Sequence, residues 1–493
     1  MVRAALALRS VRQWCHEPVY KFDPEPLRTS HCRHARKGRS THSRLPSPGL
    51  RAGAADEEAM MEILYPRCAG LDVHRDSIVA CVRLAERGIE RHVETFGTTT
   101  TELERLSAWL ASHQVTHVAM EATGVYWKPV WAVLVEDFEL LLANARHVKT
   151  VPGRTTDVND AVWLADLLAH GLIRPSFVPP PAVQALRDLT RTRKQLTRER
   201  AAHVQRIDKV LQGANLKLGS VLSNIMGQSG RAILDALAAG ESTPETLAGL
   251  LRANVRASRA QVIEALHGRL AEHQRLLLRV HLGQIDAIEA AIVALDRELS
   301  ERLEPFRKAV TRLSATPGLA ALSVASILAE IGLDMSPFPS EAHLISWAGL
   351  CPRNDESAGK RRSTRLRPGA PWLKTLLVQA AWCAVRTKGS YFRVLFLRLK
   401  VRVPVERDRD FQSKVIVISG RTLKARRGPK KAIVAVARAI LTAVYVMLKR
   451  GVAYHDLGPD HFQRTERIRL ATRLARRLDE LGFDVTLTER AAA

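Results

Sequence analysis

From Ala69 the chain changes its apolar period several times in a fixed order, and that order narrows the folds open to it. Ala69–His74, Ser77–Leu84 and Ile89–Phe96 read as three strands joined by short polar turns, one of them Glu86-Arg87-Gly88. Thr101–His113 then has the spacing of an amphipathic helix, and Thr116–Glu121 is a fourth strand. Tyr126–Asp137 is helical, and Glu139–Ala143 is a fifth strand. A last helix follows, with Ala161, Leu164, Ala165 and Leu168 at helical spacing.

Two of these strands carry an acid inside the apolar run, Gly70-Leu71-Asp72-Val73 and Val118-Ala119-Met120-Glu121-Ala122. A carboxylate there is costly to bury unless something pairs with it. Asp157 and Asp160 open the last helix three residues apart, hence on one face. Alone, that pair equally resembles a capping box. Beside Asp72 and Glu121, a metal site is the better account of all four. Hard oxygen ligands suit Mg²⁺ (or Mn²⁺), which keeps waters and binds substrate phosphate oxygens. Two ions clamping the attacking and leaving oxygens are the usual device for phosphodiester chemistry. A three-strand meander followed by helix, strand, helix, strand, helix is the ribonuclease H order, so residues 63–180 are expected to form an α/β ribonuclease H-like domain.

The charge balance points the same way. Seventy-five Lys and Arg against 50 Asp and Glu leave a net charge of +25, which favours a polyanionic partner, nucleic acid by default and a membrane surface as the weaker option. The longest apolar runs, Val130–Val135 and Ile433–Leu448, are short or broken by Arg438, so no membrane span is expected. Six cysteines without a C-x-x-C pair argue against a zinc ribbon or a disulfide framework and fit a reducing cytoplasm. Residues 1–62 form a basic leader (His31-Cys32-Arg33-His34-Ala35-Arg36 within it) with no apolar period and no secretory pattern. The leader is expected to be disordered and dispensable, with Met60-Met61 offering an alternative start.

Pro175–Pro181 breaks the chain. Residues 181–310 read as a helical, coiled-coil linker or dimerisation region. Val183–Leu211 is one long helix, shorter helical pieces fill 212–260, and Ile285, Ile288, Ile292, Leu295 and Leu299 make a heptad seam. A helical hairpin within one chain and a dimerising coil serve that seam equally. Residues 311–455 read as a mostly α domain. Thr316-Pro317-Gly318-Leu319 ahead of Ala320–Ile331 suggests a helix-hairpin-helix turn whose amides meet a DNA phosphate. Pro352–Arg365 reads as a polar, basic loop in which Lys360, Arg361, Arg362 and Arg365 suit phosphate contact. Trp372–Arg386 and Lys430–Lys449 are expected helices, and 456–493 a basic helical tail.

Gly70-Leu71-Asp72-Val73-His74, Met120-Glu121-Ala122-Thr123-Gly124 and Thr156-Asp157-Val158-Asn159-Asp160-Ala161 resemble the N-terminal motifs of the insertion-sequence "IS-one-ten" transposases, which carry a RuvC-like domain with a DEDD acidic set. Thr316-Pro317-Gly318, Trp347-Ala348-Gly349-Leu350-Cys351-Pro352, Glu356-Ser357-Ala358-Gly359-Lys360-Arg361-Arg362 and Arg426-Arg427-Gly428-Pro429-Lys430-Lys431-Ala432 resemble that family's C-terminal transposase domain. The likeness runs from about 67 to 485. It implies a DNA recombinase that moves an insertion element, acting on double-stranded DNA in the bacterial cytoplasm at the nucleoid. It also implies homodimers assembling into tetramers, guidance by an element-encoded RNA, metal held by Asp72, Glu121, Asp157 and Asp160, and Ser357 as the nucleophile that becomes linked to DNA. From the local sequence alone, Ser357 beside Ala358-Gly359 also fits a turn serine, and Ser363 is its nearest rival. Two stretches depart from the family, the leader and an apparent insertion near 401–422 that holds the strand-like Val415-Ile416-Val417-Ile418. The competing expectations are a Holliday-junction resolvase or other metal nuclease in which water attacks, and a non-catalytic nucleic-acid-binding protein derived from a decayed element.

Overall fold

The computed structural model describes residues 62–485 except 87, 122–123, 145–158, 253–254, 353–354, 358–359, 364, 367, 403–414, 419–420, 426–427 and 483; at 159, 355–357, 360–362, 401–402, 415–418, 421–425, 465–466 and 469 it describes the backbone alone. The leader before Glu62 and Asp157 therefore lie outside the described residues. From Ile63 onward the described chain forms one unit.

Its first part is a five-stranded sheet of β1 (Arg67–Val73), β2 (Ser77–Leu84), β3 (Glu90–Gly97), β4 (His117–Glu121) and β5 (Glu139–Ala143), in the order β3-β2-β1-β4-β5. The meander β1-β2-β3 is antiparallel, as short turns require, whereas β4 and β5 join parallel to β1 through helical crossovers. Helices α1 (Thr100–Ser112) and α2 (Trp127–Leu134) cover one face. There Leu71, Val73, Ile78, Phe96 and Met120 pack with Leu103, Leu106, Leu110 and Leu134. Helix α3 (Asn159–Ala169) covers the other, over Cys68, Ala119 and Ala143. Burial on both faces explains why β1 is apolar at nearly every position instead of alternating. The element order matches the expectation from periodicity, with α2 shorter at both ends than the Tyr126–Asp137 pattern suggested.

Helix α4 (Pro181–Gly213) runs the length of the middle region, followed by α5 (Leu218–Val221), α6 (Gln228–Ala239), α7 (Pro244–Gly249), α8 (Arg259–Ala265) and α9 (Glu272–Arg302). Pro181 at the first helical position fits a helix start, where its missing N–H costs nothing. The pairs Arg193–Asp296, Arg200–Glu289 and His203–His281 step in opposite senses along α4 and α9, so the two long helices are antiparallel. Two residues of the heptad seam pack inside the chain. Ile285 joins Ile207, Leu211, Ile233 and Leu278 in one core, and Leu299 packs on Leu186 and Ala329.

The last part comprises α10 (Arg307–Ser314), α11 (Ala321–Ile331), α12 (Glu341–Trp347), β6 (Asp355–Ser357), β7 (Lys360–Ser363), α13 (Pro371–Ala384), α14 (Tyr391–Lys400), β8 (Val401–Arg402), β9 (Val415–Ile418), β10 (Arg421–Ala425), α15 (Pro429–Arg450) and α16 (His461–Asp479). Helix α15 is long and apolar enough to cross a membrane. Its Ile433, Val436, Ile440, Leu441 and Val444 are nevertheless buried in a core with α11, α13 and α14, which accounts for its composition. The strand-like run in the 401–422 segment is a strand, β9, within a small sheet ordered β8-β10-β9. The Thr316-Pro317-Gly318 turn packs against two helices. Gly318 has φ of 86°, and a Cβ there would lie 2.3 Å from the Ala380 carbonyl oxygen of α13. Thr316 is buried and donates to Met447 Sδ of α15 at 3.7 Å. The turn is a packing element of this core, and its glycine is required by the close approach.

Candidate catalytic face and basic hairpin

Side chains alternate along a strand, so residues paired across neighbouring parallel strands share a face. Leu71 pairs with Met120, which places Asp72 beside Glu121 at the ends of β1 and β4. Gly70, Cys68 and Ala119 lie on the same face as this pair by alternation, and that face is the one under α3. Asp72 and Glu121 are each only 7% exposed. Asp160 stands in the first turn of α3, half-buried. The strand ends and the helix start therefore meet at one edge of the sheet.

A glycine makes this possible. A Cβ at Gly70 would lie 2.2 Å from the Ala161 carbonyl oxygen and 2.5 Å from the Ala165 amide nitrogen, so α3 rests directly on the β1 backbone. Two residues before Asp72 on the strand, and one after Asp160 on the helix, that contact sets how far apart the two acids stand. A second tie lies deeper. Arg83 of β2, its side chain 1% exposed, donates through Nε to Asp166 Oδ1 of α3 at 2.9 Å, and Arg91 of β3 donates to the same oxygen at 3.0 Å. Arg83 Nη1 finds no protein partner among the described residues. Sequence reasoning missed this pair, although an arginine inside the apolar run SIVACVRL was a signal of the same kind as the buried acids.

His74 Nε2 lies 3.1 Å from Asp72 Oδ2, at the exposed side of the edge. The thiols under α3 do not extend the site. Burial pushes the Cys68 thiol up to about 12 and the Cys81 thiol up to about 11, so both stay protonated at neutral pH and neither is a soft ligand or a nucleophile. The donors left at this edge are carboxylate oxygens with the His74 imidazole beside Asp72, and carboxylate oxygens suit a hard divalent cation. Among the described residues no three His, Cys, Asp or Glu side chains, Asp72, Glu121 and Asp160 included, are grouped as a metal site; Asp157, the fourth acid, lies outside them.

The basic stretch of the second part is a hairpin rather than the loop expected. Ser357 of β6 pairs with Lys360 of β7, Glu356 with Arg361 and Asp355 with Ser363. Only two residues, 358 and 359, separate the strands, which is the length of a tight hairpin turn. Ser357 therefore stands at the last position before the tip, and Lys360, Arg361 and Arg362 follow it on the returning strand. Arg365 is exposed beyond the hairpin. Ser363 Oγ accepts from the Arg365 backbone amide at 3.2 Å, a local turn bond that gives this rival serine a structural task.

Comparison with known proteins bears on both parts. A transposase model of the DEDD, IS110 type matches residues 69–216, and a model of the IS116/IS110/IS902 transposase family matches residues 310–396. "Putative transposase y4pF/y4sB" of Sinorhizobium fredii is 28% identical over 272 residues, 54% of this chain and 60% of that protein. "Putative transposase y4rJ" of the same organism is 27% identical over 309 residues, 61% of this chain and 67% of that protein. The chain thus spans about two thirds or less of the curated relatives it matches. Among solved structures, Thermus thermophilus RuvC in complex with a Holliday junction substrate aligns with 22% of this chain and 99% of its own, at 15% identity and a TM-score of 0.18.

Proposed function

We propose that this chain, matched by transposase family models over residues 69–216 and 310–396, is a transposase that cleaves and rejoins DNA at the ends of an insertion element through a serine–DNA intermediate. The observation that carries the reading is the pair of buried carboxylates, Asp72 and Glu121, adjacent on parallel strands beneath the helix whose first turn carries Asp160. Burial of two acids side by side is costly unless a cation balances them. Asp72, Glu121, Asp157 and Asp160 are the residues that would hold a divalent metal on a ribonuclease H-like, RuvC-like face. When bound, such an ion neutralises charge developing on phosphate oxygens.

The chain's own groups do the rest. Lys360, Arg361, Arg362 and Arg365 bind the DNA backbone around the hairpin and steady a phosphate as its charge grows. Ser357, at the hairpin tip, attacks phosphorus; its Oγ–P bond forms as the bond to the departing sugar oxygen breaks. A serine hydroxyl is a weak nucleophile at neutral pH, so a base must take its proton, a task suited to a carboxylate of the acidic set. The phosphoester then holds the strand until the hydroxyl of a second strand displaces Ser357, which leaves joined DNA and a free enzyme. Guidance by an element-encoded RNA and work as homodimers assembling into tetramers complete the proposed cycle.

The test compares the wild type with three variants on element-end DNA with Mg²⁺. The wild type should give a DNA–protein adduct that survives denaturation. Ser357→Ala should bind DNA yet give no adduct, and Asp160→Asn should bind DNA yet neither cleave nor link. Free cleaved ends from Ser357→Ala at the parental rate would place the chain with nucleases that use water. An adduct lost in Ser363→Ala but kept in Ser357→Ala would move the nucleophile.

A further inference from the structure

Where α4 crosses the second part of the molecule, a cavity of about 190 Å³ opens between α4, α11 and α13. Its cations are not equivalent. Arg191 is committed to Glu330, with Nε and Nη2 on the two carboxylate oxygens at 2.8 and 2.9 Å. Arg193 is committed to Asp296 across the helical hairpin. Lys194 and Arg198 have no carboxylate partner among the described residues. Lys194 reaches only the Gln379 side-chain oxygen at 3.5 Å, and the Arg198 guanidinium lies over the Trp372 ring at 5.1 Å from its centre. The ring holds Arg198 in place without neutralising it, because a cation–π contact keeps the full charge. Thr197 of α4 and Ser326 of α11 line the cavity with hydroxyls that donate to their own helix backbones, at Arg193 O and Leu322 O, and Leu322, 43% exposed, supplies an apolar lip.

We propose that this cleft is a second nucleic-acid site, in which Lys194 and Arg198 hold the phosphodiester backbone of a strand where the helical stem meets the transposase domain. This rests on the functional reading above and adds to the basic hairpin a contact on a different element. Two cations without a carboxylate partner, side by side in one cleft, match one or two backbone phosphates. They are too few for an isolated triphosphate, which argues for a polymer whose other phosphates are bound elsewhere on a chain of net charge +25. Holding Arg198 against Trp372 before binding reduces the side-chain entropy lost on contact. The neutralised pair Arg191–Glu330 beneath it fixes the cleft's floor without competing for phosphate.

The experiment titrates the full chain with a 30-base-pair DNA duplex, and with a single-stranded RNA of equal length, over a KCl series. The variants are Lys194→Ala/Arg198→Ala and a charge-matched control, Lys209→Ala/Lys388→Ala. Each lost phosphate contact lowers the slope of log K against log salt by about 0.9 on duplex and about 0.7 on single strands. The cleft variant should therefore lose about 1.8 on its true ligand, or about 1.4 if that ligand is the RNA, with the control slope unchanged. Lys194 in the wild type should also be protected from an amine-acylating reagent when nucleic acid is bound. A wild-type slope in the cleft variant, an equal fall in the control, or unprotected Lys194 would each overturn the cleft assignment alone. Failure of the wild type to bind either nucleic acid would overturn both this assignment and the functional reading.

Discussion

Gly70→Ala tests the spacing on which the acidic face depends. The new Cβ would meet the Ala161 carbonyl oxygen at 2.2 Å and the Ala165 amide nitrogen at 2.5 Å, both backbone atoms, with Leu164 Cβ at 2.9 Å. Backbone cannot rotate aside as a side chain can. An ordinary contact begins near 3.4 Å, so the gap must open by about 1 Å. Strand β1 cannot yield, because it is hydrogen-bonded on both sides, to β2 and to β4. Helix α3 must lift instead, against the Arg83–Asp166 tie. Overpacking of this kind costs about 1–3 kcal/mol, read as a lower melting temperature. The larger effect is on activity, because Asp160 moves with α3 while Asp72 stays with β1, and a misplacement of about 1 Å costs on the order of 100-fold in rate. Cleavage of element-end DNA should fall by about that factor, with nucleic-acid affinity within about threefold of parental. A Gly70→Ala protein that melts and cleaves like the wild type would refute both the close approach and its role.

Three further outcomes follow from other contacts. Glu330, 3% exposed, accepts both arms of Arg191 and lies 3.7 Å from Arg187; Glu330→Gln should cost about 2–4 kcal/mol in denaturant unfolding, discounted because Arg191 is one-third exposed, and an unchanged midpoint would remove its role as the latch between α4 and α11. Burial, then the neighbouring His203 and Arg206, hold His281 below its ordinary 6.5. The unfolded chain then binds the proton more readily, so stability is present above pH 6.5 and is lost as pH falls below it. Thermal melts from pH 7.5 to 5.5 should show a smaller acid loss in His281→Asn than in the wild type, and equal losses would remove this histidine from the account. Chelation of divalent metal should stop cleavage while leaving salt-dependent DNA binding in place; cleavage undiminished in excess chelator would exclude a metal role for the acids.

Much of the candidate acidic face was legible in the sequence because its signals are local. Strand and helix periods are set by residues two to four apart, so the order β1 to α3 could be read off, and Asp72 and Glu121 stood out as acids in runs otherwise fit for burial. Ser357 and its cations were legible as a motif. Their placement at a hairpin tip was not, since two adjacent glycine-compatible residues read equally as loop. Asp157, singled out with the other acids, lies outside the described residues.

What the chain order alone determined, then, is the set of elements and the residue types each one presents. Tertiary structure decided which partner each face took. A heptad seam shows that α9 needs a helix beside it but carries no mark of whose helix, and within the chain α4 packs along part of it. Thr316-Pro317-Gly318 has the same residues whether it faces phosphate or protein, and only the approach of Ala380 made it core. Arg83 and Asp166 are 83 positions apart, and Arg198 and Trp372 lie on different helices of different parts of the chain. Pairings of that range depend on how whole elements pack, a many-body outcome of excluded volume and burial that no local period encodes.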